Sequence, residues 1–261
     1  TTLAVGAPYN DGAGYNAGHA RVFAWDSDDE TWVQRGGDFD GEAVDDESGI
    51  SVSLSADGTT LAVGEWKTDG AGDDAGYVRV FAWVSAENPW EPYKKEWVQL
   101  GKAIDGEGAY DQSGCSVSLS ADGTTLAVGA YQNDGAGSNA GHARVFAWDP
   151  VEETWKQRGD DIDGEAAHDL SGYSVSLSAD GTTLAVGAYQ NNGAGSNAGH
   201  ARVYLISALA GGDADAFTGA TTTTFGFAGD DGPHGDGPDC STKRGRDSES
   251  WHRKDAPTKT C

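Results

Sequence analysis

Apolar and polar positions along this chain alternate at period two in short runs. None of them keeps a 3.6-residue apolar period for the ten or so residues a helix needs. Ser116-Val-Ser-Leu-Ser alternates small polar with apolar residues and predicts a strand. Asp122-Gly123 then predicts a tight type I′ hairpin, because both residues tolerate positive φ. Residues 124–130 form the second predicted strand. A connection of Gly, Asn and Asp runs from Gln132 to Gly141, with too many breakers to be regular. The third predicted strand, 142–148, places Ala143, Val145 and Ala147 on one face and His142, Arg144, Phe146 and Trp148 on the other. Residues 154–158 form the fourth.

The pattern repeats. Thr-Thr-Leu-Ala-Val-Gly begins at Thr1, Thr59, Thr124 and Thr182, at spacings of 58, 65 and 58. Arg-Val-Phe-Ala-Trp begins at Arg21, Arg79 and Arg144 and becomes Arg-Val-Tyr-Leu-Ile at Arg202. The seven extra residues of the middle interval lie between Trp83 and Trp97, where a loop absorbs them at little entropic cost. Four short antiparallel strands per unit predict an all-β fold of β-propeller-type blades. About 3.5 blades are expected in residues 1–206, as a partial or open propeller. A stacked solenoid is the competing architecture, but its units are usually shorter. Residues 207–261 leave the repeat for a Gly-, Asp- and Thr-rich stretch with a basic end, and this composition predicts an irregular tail. Within it, Phe225-Gly-Phe227 is the segment that could complete the last blade.

The net charge is −25, and the repeats carry about −22 of it. Phosphate binding needs clustered Lys and Arg, so nucleic acid is not an expected partner. No apolar run reaches the roughly 20 residues that span a bilayer, and no signal peptide is visible. The chain has no Met and opens inside the repeat motif, as expected of an internal piece of a longer protein. Motifs for serine hydrolases, P-loop nucleotide binding and zinc proteases are absent. Cys115 takes an apolar repeat position and is expected to be a buried thiol, while Cys240 and Cys261 lie in the tail.

Gly172-Tyr-Ser-Val-Ser-Leu177, then Leu184-Ala-Val-Gly-Ala188, then a Gly-rich loop into Ala201-Arg-Val-Tyr204, resembles the FG-GAP repeat. Such repeats build the propeller of integrin α subunits and of related secreted proteins. The resemblance covers residues 1–206 and implies a propeller with ligands at its loop face. Two departures stand out. The Phe-Gly half is Ser-Gly in every copy (Ser48-Gly49, Ser113-Gly114, Ser171-Gly172). The family's calcium hairpin between the first two strands is reduced to Ser-Ala-Asp-Gly, and one carboxylate cannot supply the six to eight oxygens calcium takes.

Candidate chemistry falls in two segments of the repeat. Asp38, Asp40 and Glu42, and again Asp161, Asp163 and Glu165, lie at i, i+2, i+4 on an extended chain, where three carboxylates on one side could hold calcium. Copy two has Ala103 in the first of these positions. The bland alternative is an inter-blade turn in which Asp and Gly serve the backbone. In the long loops, Asp69, Asp134, Asn139 and Asn197 sit beside Trp66, Tyr131 and Tyr189 at the loop entrance. Aromatic rings next to amides and carboxylates suit a glycan or protein ligand. Here the bland alternative is that Asn, Asp and Gly satisfy left-handed turn conformations.

His19, His142 and His200 open the third strand in three copies, with Tyr77 in copy two, and a structural role is expected for them. Arg21, Arg79, Arg144 and Arg202 are expected to pair with Asp57, Asp122 or Asp180 of neighbouring blades. The function expected from all this is a non-catalytic extracellular or cell-surface binding and adhesion module. Its partners would be a protein or glycan, with self-association or further blades of a parent protein also open. A carbohydrate-binding, lectin-like propeller, or the accessory propeller of a secreted hydrolase, is the alternative.

Overall fold

The computed structural model describes residues 1–85, 95–206 and 225–226. The expected tail and the insertion after Ser85 otherwise lie outside the described residues. Among those described, all regular structure is β. Blade 1 holds β1 (Thr2–Ala7), β2 (His19–Asp26), β3 (Thr31–Gln34) and β4 (Phe39–Asp40). Blade 2 holds β5 (Ser51–Leu54), β6 (Thr60–Glu65), β7 (Tyr77–Ser85), β8 (Lys95–Gln99) and β9 (Ile104–Asp105). Blade 3 holds β10 (Ser113–Leu119), β11 (Thr125–Ala130), β12 (His142–Asp149), β13 (Thr154–Gln157) and β14 (Ile162–Asp163). Blade 4 holds β15 (Ser171–Leu177), β16 (Thr183–Ala188), β17 (His200–Leu205) and β18 (Phe225–Gly226).

Each complete blade is an antiparallel meander in the order first, second, third, fourth strand. It also has a two-residue fifth strand that sequence patterning missed, paired back onto the start of the third (His142 opposite Asp163, Ala143 opposite Ile162). In blade 4 that place is taken by β18, with His200 opposite Gly226, so the segment near Phe225 adds a fifth-strand equivalent and not a fourth strand. The Ser-Ala-Asp-Gly hairpins differ from the expected type I′ turn. Only the Gly has positive φ (Gly58 +70°, Gly123 +71°, Gly181 +66°). The Asp carboxylate serves the turn: Asp57 Oδ1 accepts from Ser55 Oγ at 2.7 Å, Thr59 N at 2.9 Å and Thr59 Oγ1 at 2.8 Å.

The hydrophobic core lies between blades, not inside them. Leu61, Val63 and Phe81 of blade 2 face back to Ala20, Val22 and Phe39 of blade 1. Ala62, Val78 and Val80, on the other face of the same strands, pack on Leu126, Val128 and Phe146 of blade 3. Ala127, Ala143 and Val145 then meet Leu184, Val186 and Tyr204 of blade 4. Small residues on the forward face thus receive large ones from the next blade, and this is why both faces of a period-two strand can be apolar here. At the outer face of blade 1, Leu3 is 44% exposed, whereas its counterpart Leu61 is fully buried. The four blades form an open propeller-type arc.

Polar contacts stitch the same interfaces. Trp97 Nε1 donates to Arg35 O at 2.7 Å, and Trp155 Nε1 to Leu100 O at 3.1 Å. Ser51 Oγ donates to Gly114 O and Ser116 Oγ to Gly172 O, both at 2.8 Å. Trp155→Phe keeps an aromatic side chain but removes one of these bonds together with part of the buried indole, leaving the Leu100 carbonyl short of a donor. The expected loss is about 1 kcal/mol in urea unfolding; a loss near zero would show that the indole N–H contributes nothing to the seam.

Candidate functional site

The long loop after the second strand is built by its own Asn and Asp residues. In blade 3, Gly135 N donates to Asn133 Oδ1 at 2.8 Å and Asn139 N to Asp134 Oδ1 at 2.7 Å; Gly141 N closes the loop on Asn133 O at 2.9 Å. Asp69 does the same for Asp74 N at 3.0 Å, and Asn192 for Asn197 N at 2.8 Å. Asn139 and Asn197 occupy left-handed backbone at φ +49° and +51°. One oxygen of Asp69 and of Asp134 therefore serves the loop, and Asn139 and Asn197 serve it through their backbone conformation. The loop is pinned to the preceding segment by Asn133 Nδ2, which donates to the buried Asp111 at 3.0 Å, and by Asn191 Nδ2, which donates to Asp169 at 2.8 Å.

At the entrance of these loops the predicted aromatics meet. Trp66 stacks on Tyr131, with centroids 6.0 Å apart. Tyr131 meets Tyr173 edge-on at 5.5 Å, and Tyr173 meets Tyr189 at 4.5 Å. The row runs across blades 2, 3 and 4. Trp66 is oriented by Glu47, whose Oε2 accepts its Nε1–H at 2.8 Å while Oε1 accepts Lys67 Nζ at 2.5 Å. Pairing with Glu47 raises the Lys67 pKa against the opposing effect of burial. Tyr173 is 51% exposed and Tyr189 47%. A cleft of about 300 Å³ lies beside them, lined also by Ser174, Gly187, Gly199 and His200.

Sequence reading missed Tyr173 and Glu47 as part of this row. Both flank the Ser-Gly dipeptide, Glu47 one residue before it and Tyr173 one residue after, on the segment that docks against the neighbouring blade's loop entrance. Position relative to Ser-Gly is the signal that could have found them.

The acidic segments do not act as units. Asp38 Oδ2 accepts Arg21 Nη2 at 2.7 Å and its Oδ1 accepts Gln34 Nε2 at 2.6 Å, so the Arg21 bond holds the Asp38 carboxyl below its ordinary range. Glu42 faces Arg79 of the next blade at 3.5 Å, apart from Asp38. Likewise Asp161 takes a bond from Gln157 at 2.7 Å, Glu165 faces Arg202 at 3.4 Å, and Asp163 offers its backbone carbonyl to Arg202 Nη2 at 2.5 Å. The three acids of a set do not meet at one point: Asp38 and Asp40 both approach His19 Nδ1, at 3.8 and 4.0 Å, while Glu42 turns to Arg79, and Glu165 turns to Arg202 while Asp161 faces Gln157. Alternate side chains of an extended strand share a face, but they splay toward different blades.

The strand arginines pair with these acids and with backbone carbonyls of the preceding blade. Their expected partners Asp57, Asp122 and Asp180 are corrected, because those carboxylates are spent inside their hairpins. The histidines instead face carboxylates: His19 toward Asp38 and Asp40, His142 toward Glu107 and Asp161, His200 toward Glu165. Burial, helped by Arg144, pushes the His142 pKa down to about 4. Cys115 is a free thiol whose pKa burial pushes up to about 11, which makes it a poor nucleophile at neutral pH.

No helix among the described residues is long and apolar enough to cross a membrane. Among solved structures, the chain is similar to the periplasmic gluconolactonase of Pseudomonas aeruginosa (15% identity, 78% of this chain and 50% of that one, TM-score 0.41). It is also similar to a protein assigned as a 6-phosphogluconolactonase from Bacteroides fragilis (16% identity, 80% and 49%, TM-score 0.43). A third, from Bacteroides uniformis, carries the same assignment (9% identity, 86% and 66%, TM-score 0.39). The chain spans about half the length of the first two. These neighbours are lactonases and not adhesion proteins, and with that finding the expectation of a non-catalytic adhesion module, and of no enzyme, is corrected. Likeness at TM-scores below 0.5 transfers no reaction to this chain. A comparison with curated proteins returns no match. Residues 97–146 and 162–204 match the FG-GAP repeat family model, and these two stretches, where Ser-Gly strands and Asx-rich loops recur, carry FG-GAP repeats.

Proposed function

We propose that the loop face of this arc recognises carbohydrate, with Trp66, Tyr131, Tyr173 and Tyr189 as its platform. The observation that carries the reading is the continuous aromatic row over three blades, two of whose rings are half exposed. Sugar rings bind by laying C–H faces on aromatic rings while their hydroxyls bond to fixed polar groups. Gln132 and Gln190 stand beside the row, each donating to the phenol oxygen of the preceding tyrosine, at 2.9 and 3.2 Å. The free oxygens of Asp69 and Asp134, and the amides of Asn139 and Asn197, would meet hydroxyls along the rim. The cleft next to Tyr189 is at the small end of the size range for small-molecule sites. The FG-GAP repeats favour a secreted or cell-surface setting.

A glycan array followed by calorimetry on its hits tests the proposal. Tyr173→Ala and Tyr189→Ala are each expected to weaken binding at least about tenfold. Trp66→Ala should also weaken it, because its ring backs Tyr131. An array without hits, or hits indifferent to all three changes, would discard the carbohydrate reading.

A further inference from the structure

Nδ1 of His142 lies 3.9 Å from Oε2 of Glu107 and 3.9 Å from Oδ2 of Asp161. The three atoms all lie within 4.8 Å of one another. These separations are too long for hydrogen bonds. His142 is 1% exposed, and neither of its ring nitrogens has a hydrogen-bond partner. A buried imidazole left unsatisfied, aimed between two carboxylate oxygens, calls for a group that accepts lone pairs from all three.

We propose that Glu107, His142 and Asp161 bind a divalent transition-metal ion, zinc being the type case, at the seam between blades 2 and 3. One imidazole nitrogen and two carboxylate oxygens form a donor set that suits zinc and its neighbours, whereas calcium takes oxygen ligands. Zinc–ligand bonds of about 2.1 Å place tetrahedral ligand atoms about 3.4 Å apart, so each carboxylate needs to close on the imidazole by about half an ångström, and the two carboxylate oxygens on each other by at most about 1.4 Å. The carboxylates reach solvent and give the ion a way in, while the imidazole anchors it from the buried side. Each acid is already oriented through its other oxygen: Arg144 Nη1 lies 3.5 Å from Glu107 Oε1, and Gln157 Nε2 donates to Asp161 Oδ1 at 2.7 Å. Such outer partners aim metal ligands.

The repeat supplies an independent comparison. In blade 2 the histidine is replaced by Tyr77, and the acid equivalent to Asp161 is replaced by Ala103 in the same copy. Imidazole and acid are lost together, as members of one ligand set would be. At His19 the corresponding Asp38 is engaged by Arg21, which competes with a cation for the same oxygen.

The test is titration of the full chain, freed of metal, with zinc by calorimetry and with cobalt(II) by visible absorption. One zinc site and a cobalt d–d spectrum without thiolate charge transfer are expected. His142→Gln and the exposed Glu107→Gln should each weaken this site at least about tenfold, and His19→Gln should leave it unchanged. Circular dichroism and melting establish that the variants fold, and Glu107→Gln keeps the question open to refutation should His142→Gln not fold. The chain also contains His234, Cys240, His252 and Cys261. Absence of zinc heat and of a cobalt spectrum would overturn the proposal. So would binding that persists in both variants, with or without a thiolate band.

Discussion

Gly129→Ala is expected to cost about 3 kcal/mol or more, roughly 10 °C in Tm for a domain of this size, whereas the equivalent Gly187→Ala should cost less than about 1 kcal/mol. Both glycines occupy the same place in the second strand of their blades. A Cβ on Gly129 would stand 1.9 Å from the carbonyl oxygen of Gly172 in the next blade and 2.5 Å from Ser116 Oγ. Backbone cannot yield there, because Gly172 has φ +83° and is itself closed in by His142 O. Gly6 and Gly64 meet Gly49 and Gly114 in the same manner. At Gly187 the near obstacle is only Ser174 Oγ at 2.4 Å, a side chain that can rotate away. Urea midpoints of the two variants decide the matter; equal losses would mean that the glycine serves its own strand and not the blade contact.

The second large effect depends on pH. Glu65 stands where the other copies have Ala7, Ala130 and Ala188, and it is fully buried. Arg79 Nε donates to its Oε1 at 2.5 Å, but Oε2 and the nearby Tyr77 hydroxyl have no hydrogen-bond partner. Burial pushes the Glu65 pKa up to about 7, with Arg79 only partly offsetting it. A carboxyl whose pKa is higher folded than unfolded binds more protons in the folded state between the two values. Its contribution is full below about pH 4.5 and is lost as pH rises through 7, an effect of about 3 kcal/mol.

His142 works in the opposite sense. With a folded pKa near 4 it stays neutral, so its contribution grows as pH rises from 4 to 6.5. The total slope therefore partly cancels, and the informative quantity is the stability of the wild type minus that of Glu65→Gln. That difference should fall by about 3 kcal/mol between pH 4.5 and pH 8 in urea unfolding. A difference constant with pH would refute the assignment.

Much of the fold was legible before any coordinates, because a blade is local. Period-two strands recur in four copies and the Asp-Gly hairpin in three, at intervals of about 58 residues, and each copy corroborates the others. The two-residue fifth strand escaped because two residues have no period. The hairpin type was misjudged because Asp-Gly is compatible with more than one turn, and only the Gly takes positive φ here. Of the candidate site, Trp66, Tyr131 and Tyr189 were visible as equivalent positions. Tyr173 and Glu47 flank Ser-Gly at positions whose residue type changes from copy to copy (Ile50 and Cys115 for the first, Gln112 and Leu170 for the second), so the repeat did not mark them.

By itself, then, the sequence determined the class, the repeat unit, the loop chemistry and the acidic charge, since these follow from neighbours along the chain. Only the tertiary structure decided which acid faces which cation. It split Asp38, Asp40 and Glu42 among Arg21, His19 and Arg79, and it joined Glu107 of one repeat to His142 and Asp161 of the next. The reason is physical. In a propeller-type arc the core and the polar seams lie between blades, so partners are set by how one sheet stacks on another, and the repeat alone leaves that stacking unspecified.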